Sequence, residues 1–318
     1  MTTQLKLELE SNNSLYTAKP FLKWAGGKTQ LIKTIESNLP KNFRNKSYTY
    51  IEPFIGSGAV MFWLLNNFPR IEKAVINDIN SDLTNTYKVI SSNPNELISI
   101  LNELQSEYYS LENNQENKSE YYYKKRESYN SRKSDKTTQA ALFIFLNRTC
   151  FNGLYRVNRN NDFNVPMGSY KRPTICDVDN ILAVNKALQK VEILCGDFEE
   201  TLQYAENNTF FYFDPPYKPL NNTSSFNSYA KDEFNDEQQV RLKKFCSKLD
   251  ELGHKWMLSN SDVKGVDNEN NFFDELYSEF FINRVKATRR INSNGEKRGE
   301  LNELLITNYT NEPTLCTA

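Results

Sequence analysis

An α/β fold interrupted by a basic, mainly helical segment is what this sequence predicts, on three observations. Apolar, strand-like runs alternate with amphipathic helical patterns near both ends of the chain. A glycine turn, Ile55-Gly56-Ser57-Gly58-Ala59, follows one such run and opens a helix. Four aromatics in a row, Phe210 to Phe213, stop abruptly at Asp214-Pro215-Pro216-Tyr217. That run reads as a strand buried on both faces, ended by two residues that cannot donate to a ladder.

Residues 1–16 are polar and hold no apolar signal core, and nowhere do ~18 apolar residues run together, so a cytoplasmic protein is expected. Pro20-Phe21-Leu22-Lys23-Trp24-Ala25-Gly26-Gly27-Lys28 leads into a helical pattern at Leu31, Ile32, Ile35 and Leu39. Gly27-Lys28-Thr29 is similar to the end of a phosphate loop. Leu22 stands where that loop needs its first glycine, and no buried strand precedes it, so an ATPase is the weaker reading. Tyr48 to Phe54 predicts a strand, Val60 to Asn66 a helix, and Lys73 to Asn77 a strand ending at Asp78. In such β-glycine turn-α-β units the strand-end acid accepts hydrogen bonds from a ribose diol. The third glycine of the dinucleotide fingerprint is missing, which disfavours NAD.

From Asp82 to about Tyr129 the pattern is helical, polar and rich in tyrosine, and Gln139 to Leu146 is an apolar helix. The formal net charge is -1, but Lys118 to Arg172 carries twelve Lys/Arg against four acids, +8 against -9 for the rest. A basic middle in an acidic chain suits a polyanion; a solvated helix face accounts as well for Lys118 to Lys136. Asn147 to Asn158 and Phe163 to Pro173 interleave Asn, Arg, Lys and Tyr with Gly and Pro, as a loop or hairpin meeting nucleic acid does.

The alternation then resumes. Ile181 to Gln189 reads as a helix and Val191 to Cys195 as a strand ending near Asp197-Phe198. Lys218 to Phe234 is a long polar loop, Asp236 to Leu252 an amphipathic helix and Lys255 to Ser259 a strand. Phe280 to Ala287 and Glu303 to Tyr309 form a closing pair around the basic loop 288–295. Five scattered cysteines and a single histidine, His254, give no metal or redox spacing and no Cys-His or Ser-His nucleophile. Asp214 at a strand's carboxyl end, a carbonyl aimed by prolines and the Tyr217 ring together suit a planar ligand bearing an amino group. The same residues also read as a plain Asp-Pro turn.

Phe21 to Lys28, Ile51 to Gly58, Asn147 to Tyr170 and Asp214 to Tyr217, in this order, resemble the Dam-type (alpha group, D12 class) DNA adenine N6-methyltransferases over roughly residues 20–310. The resemblance implies an AdoMet-dependent methyltransferase fold, Rossmann-like with a mixed seven-stranded sheet. Residues 1–80 and 173–318 would form the AdoMet-binding catalytic domain, and 81–172 an inserted, mainly helical target-recognition domain. It implies that Trp24, Ala25, Gly26 and Lys28 lie near AdoMet, that Phe54, Gly56 and Gly58 form the glycine-loop site, that Asp78 holds the ribose hydroxyls, and that Asp197 and Phe198 sit beside the cofactor adenine.

Asp214 and the Pro215 carbonyl, with Pro216 and Tyr217, would then clamp the amino group of an adenine flipped out of duplex DNA, with Tyr217 stacked on the base. Asp214 is expected to be ionised at neutral pH with an ordinary pKa of ~3.9. Asn152, Arg156, Pro166 and Tyr170 are expected at or near the bases, Lys171 and Arg172 at phosphates, with Asn158 and Ser169 in the same DNA-binding stretch. Ser169 departs from the Arg that several GATC-specific relatives carry. The implied activity is site-specific adenine methylation of a short duplex site, GATC or a related one, in a restriction-modification, phage or Dam-like setting. No metal is implied, and a cognate nuclease would act separately. The alternatives are an inactive DNA-binding protein and an N4-cytosine methyltransferase, whose motif more often opens with Ser or Asn.

Overall fold

The computed structural model describes residues 17–24, 26–111, 114–218, 234–265, 267–288 and 300–310. In chain order the strands are β1 (Tyr48–Glu52), β2 (Ile71–Ile76), β3 (Val191–Ile193), β4 (Thr209–Phe213), β5 (Lys255–Ser261), β6 (Phe281–Thr288) and β7 (Glu300–Thr307). They form one mixed seven-stranded sheet in the order β3-β2-β1-β4-β5-β7-β6. The helices are α1 (Ile32–Ser37), α2 (Ala59–Asn67), α3 (Ser81–Ser92), α4 (Pro94–Ser110), α5 (Gln115–Asn130), α6 (Lys136–Thr149), α7 (Val178–Leu188), α8 (Asp236–Glu251) and α9 (Phe272–Leu276). This is the α/β architecture the sequence predicts. No helix among the described residues is long and apolar enough to cross a membrane.

The chain divides into two compact units. One comprises Met1–Gly27, Gly56–Asn67 and Asn80–Cys195, the other Lys28–Ile55, Phe68–Ile79 and Gly196–Ala318. In the second unit β1 runs parallel to β2 and β4, and β4 parallel to β5, while β7 is antiparallel to β5 and β6. Every residue of β1 and β4 is buried, which is why β4 reads as a run of aromatics without alternation. Phe43, Phe210, Phe211, Phe213 and Phe245 supply much of this core as edge-to-face and stacked pairs.

In the first unit α6 is the organising helix. Asp135 caps it by accepting from the Thr137 and Thr138 amides, and nearly every residue from Gln139 to Thr149 is buried. It packs against α3, α4 and α5. The single helical pattern expected from Asp82 to Tyr129 is three helices. Asn93, ahead of Pro94, ends α3, and Asn114 caps α5. Predicted α1 is shorter than its pattern, stopping at Ser37 with Leu39 buried just beyond. The short helix α9 carried no signal in the sequence. The polar lead-in, most of loop 218–234 and the basic loop 288–295 lie outside the described residues.

Candidate functional site

Because β1, β2, β4 and β5 are parallel, their carboxyl ends share one edge of the second unit. Asp214 follows β4 there. Its carboxylate, 21% exposed, lies 2.9 Å from the Lys28 ammonium, itself 6% exposed. The ammonium also sits 4.3 Å from the centre of the Tyr217 ring. The Tyr217 hydroxyl donates to Glu303 Oε2 at 2.8 Å, and Glu303, on β7, pairs across the sheet with Ser261 of β5. Lys28, Asp214, Tyr217 and Glu303 thus form one cluster. The expectation of an ordinary Asp214 acid is corrected here. Burial pushes its pKa up to about 6 against the opposing pull of Lys28, and the Glu303 charge adds to the rise. Lys28 pairs with this acid.

The backbone after Asp214 is pinned from below. Gln239 of α8, fully buried, donates to the Pro216 carbonyl at 3.2 Å. Asn260, also fully buried, donates to Gln239 Oε1 at 3.1 Å and accepts from the amides of Lys218 and Ser261. Pro215 is buried, and its carbonyl accepts no hydrogen bond from the described residues. A buried carbonyl without a donor is rare and suits an incoming N–H. Sequence reasoning missed Gln239, Asn260 and Glu303, because a polar residue on a helix or strand gives no sign that its side chain points inward.

At the neighbouring strand ends, Asn77 donates to the carbonyls of Pro53 and Gly196 and its own carbonyl accepts from Ile55, tying these turns together. Asp78 is half-buried just beyond β2. Phe54 and Phe198 pack 5.4 Å apart. Asp197 accepts from the Glu199 amide, and Arg241 grips both carboxylate oxygens at 2.7 and 2.8 Å while lying over the Phe198 ring. Burial alone would raise the Asp197 acid, but Arg241 and the Glu199 amide hold it below its usual value. In this structure its carboxylate serves Arg241.

In the first unit Gly56 and Gly58 adopt left-handed φ of 48° and 71°. A Cβ on Gly58 would lie 2.6 Å from the Tyr87 hydroxyl, and one on Gly56 would lie 3.0 Å from the Trp24 ring. Tyr87 also donates to the Gly56 carbonyl. Trp24 stacks on Tyr155 at 5.2 Å. Gly26 is exposed at the turn; Ala25 lies outside the described residues.

The basic stretch is a hairpin, bridged at Val157–Phe163 and Cys150–Met167. Exposed on it are Asn152, with φ of 54°, Arg156, Pro166 and Ser169, followed by Lys171 and Arg172. Arg156 Nε donates to Asn164 Oδ1 at 2.7 Å, which braces the guanidinium. Tyr170 lies under the Lys23 ammonium, and Arg172 over the Tyr109 ring. Asn158 is committed to the hairpin tip, accepting from the amides of Asn160 and Asp162. Two charges of the basic segment point inward. Lys118 is buried and donates to the Lys171 carbonyl, and Arg148 donates to the Phe21 carbonyl. Asn147, buried, holds the Lys23 amide, the Lys23 carbonyl and the Gly153 carbonyl.

An Asp-Pro-Pro-Tyr loop at a parallel strand edge agrees with a methyltransferase. The model of the D12 class N6 adenine-specific DNA methyltransferases matches residues 24–291, and the chain belongs to that family. It is 52% identical to a Type II methyltransferase, M.MjaIII, of Methanocaldococcus jannaschii, over 92% of this chain and 99% of the relative. It is 40% identical to M1.LlaDCHI, a Type II methyltransferase of Lactococcus lactis subsp. cremoris, over 92% and 96%. It is 36% identical to a DNA adenine methylase of Haemophilus influenzae, over 90% and 92%.

Proposed function

We propose that the chain transfers the methyl of AdoMet to N6 of an adenine extruded from a short duplex site, with Asp214 and the Pro215 carbonyl as acceptors for the two amino hydrogens. The observation that carries this is a pair of acceptors at the end of β4, the part-buried Asp214 carboxylate and the carbonyl of buried Pro215, which takes no donor from the described residues, beside the Tyr217 ring. An adenine amine is a poor nucleophile while its lone pair is delocalised into the ring. Two acceptors aimed at its hydrogens favour a pyramidal nitrogen, and the lone pair is then available. Positioning and electrostatics do the work, and Tyr217 stacks on the base.

AdoMet, when bound, supplies an electrophilic methyl carried on a sulfonium cation. The residues fit it. Asp214, beside Lys28, and Glu303, on the Tyr217 hydroxyl, bring two carboxylates to one cluster, which suits a cationic group. The residues that would hold it are Trp24, Ala25, Gly26, Lys28, Phe54, Gly56, Gly58, Asp78, Asp197, Phe198 and Asp214. Asp197 would do so through a carboxylate already oriented by Arg241. On the DNA side we assign Asn152, Arg156, Pro166, Ser169 and Tyr170 to the bases, Lys171 and Arg172 to phosphates, and Asn158 to shaping the hairpin. Exposed Phe151 adds an apolar ring suited to wedging beside a base. The catalytic and target-recognition roles fall, in this reading, to 1–80 with 173–318 and to 81–172. Two relatives named Type II methyltransferases support a restriction-modification setting with a separate nuclease.

Tritiated AdoMet mixed with unmodified genomic DNA tests the activity: label is expected in N6-methyladenine, and label in cytosine would overturn the reading. Arg156→Ala is expected to cost about 1–3 kcal/mol at one base position and relax specificity there; an equal loss on all sequences would mark a backbone contact. The kcat/KM profile for AdoMet reports the cofactor-free enzyme. Its acid limb is expected near pH 6, activity falling as the pH drops through the raised Asp214 value and the carboxylate takes a proton. A limb near 4 would contradict this.

A further inference from the structure

Glu303 has no assigned part in methyl transfer, yet its position is specific. It lies on β7, held between β5 and β6, opposite Ser261. It is half-buried, and among the described residues it forms no ion pair. Among the described residues its side chain accepts a hydrogen bond from the Tyr217 hydroxyl. A withdrawn carboxylate that binds a phenol and no cation costs stability that glutamine, with the same acceptor oxygen, would spare. Such a local violation of the packing rules marks a functional position.

Geometry says what it does. The Tyr217 backbone is fixed by its neighbours, through Gln239 on the Pro216 carbonyl and Asn260 on the Lys218 amide. Glu303 fixes the far end of the ring. An aromatic held at both ends keeps its long axis in one place, which a stacking surface for a base requires. We propose that Glu303 is a positioning residue for methyl transfer: it holds the long axis of the Tyr217 ring in place through the phenol, and it places a second negative charge beside the Lys28–Asp214 pair. This rests on the roles given above to Asp214 and Tyr217. The groups interacting with Asp214 are Lys28, Glu303 from β7, Tyr217 of its own loop, Tyr212 of β4 and Tyr50 of β1, whose hydroxyl is hydrogen-bonded to Glu52. Glu303 is therefore one of two carboxylates there, and its removal lowers the proton affinity of Asp214.

The test compares wild type, Glu303→Gln, Glu303→Leu, Tyr217→Phe and the Glu303→Leu/Tyr217→Phe double variant in single-turnover transfer from tritiated AdoMet to unmodified genomic DNA, with melting temperatures recorded. Glu303→Leu is expected to slow transfer by about 10- to 100-fold, the scale of a small misplacement of reacting groups. Tyr217→Phe should do much the same, and the double variant no worse than either. Glu303→Gln keeps the acceptor and removes the charge. It should lose less rate than Glu303→Leu, and the acid limb of its kcat/KM for AdoMet should move to lower pH by roughly half a unit or more. An unmoved limb in Glu303→Gln, or losses that simply add in the double variant, overturns the proposal. Should Glu303→Leu fail to fold, the Glu303→Gln limb alone decides. Asp214→Ala separates the two levels: if it is inactive while the Glu303 results fail, only this inference falls, and if it is active the reading beneath it falls.

Discussion

Asp214→Ala is expected to lower single-turnover methyl transfer by at least about 10²–10³-fold, the scale of losing one preorganised electrostatic contact to a transition state. Binding of AdoMet and of DNA should be largely retained, because the lost interaction matters most as the amino nitrogen becomes pyramidal. Removing the carboxylate also takes away the acid that lies 2.9 Å from the Lys28 ammonium, itself 6% exposed. Asp214→Asn is the sharper companion. It keeps volume and one acceptor oxygen, but it loses the charge and turns donors towards Lys28 and the base. Both variants should show rapid-quench rates far below wild type with DNA affinity, measured by titration, within a fewfold. Retention of a tenth of the rate in Asp214→Ala would remove Asp214 from the reaction.

Asn147→Leu should destabilise the protein by about 2–5 kcal/mol, since three backbone groups lose a side-chain partner at once. Leucine has similar volume, so a cavity contributes little. Lys23 and Gly153 should then loosen together. A Cβ on Gly153 would lie 2.3 Å from the Lys23 side chain, so these two segments already touch. Calorimetry reads the loss as a fall in Tm of several degrees. A variant that melts with wild type would show that Asn147 bears no load in the first unit.

How much of this was written in the sequence depends on the kind of signal. Phe210 to Phe213 announced β4 because a strand buried on both faces needs no alternation. Gly56 and Gly58 announced a turn because only glycine takes those angles cheaply. Asp214 was legible by position, at a strand end sealed with prolines. Its acid strength was not, because that depends on burial and on two charges, Lys28 and Glu303, that lie 186 residues behind and 89 ahead in the chain. The basic stretch was read as one footprint, yet Lys118 and Arg148 turn inward to carbonyls, and Asn158 closes a turn. Composition counts charges without regard to the direction of the side chains that carry them. Gln239 and Asn260 were invisible for the same reason: their value lies in a bond to each other and to Pro216.

That last bond decides when the cost of order is incurred. With the Pro216 carbonyl and the Lys218 amide already tied to the buried Gln239–Asn260 pair, the acceptors beside them take their places as the chain folds. The entropy of arranging them is therefore charged once in the life of the molecule, and no turnover has to meet it again.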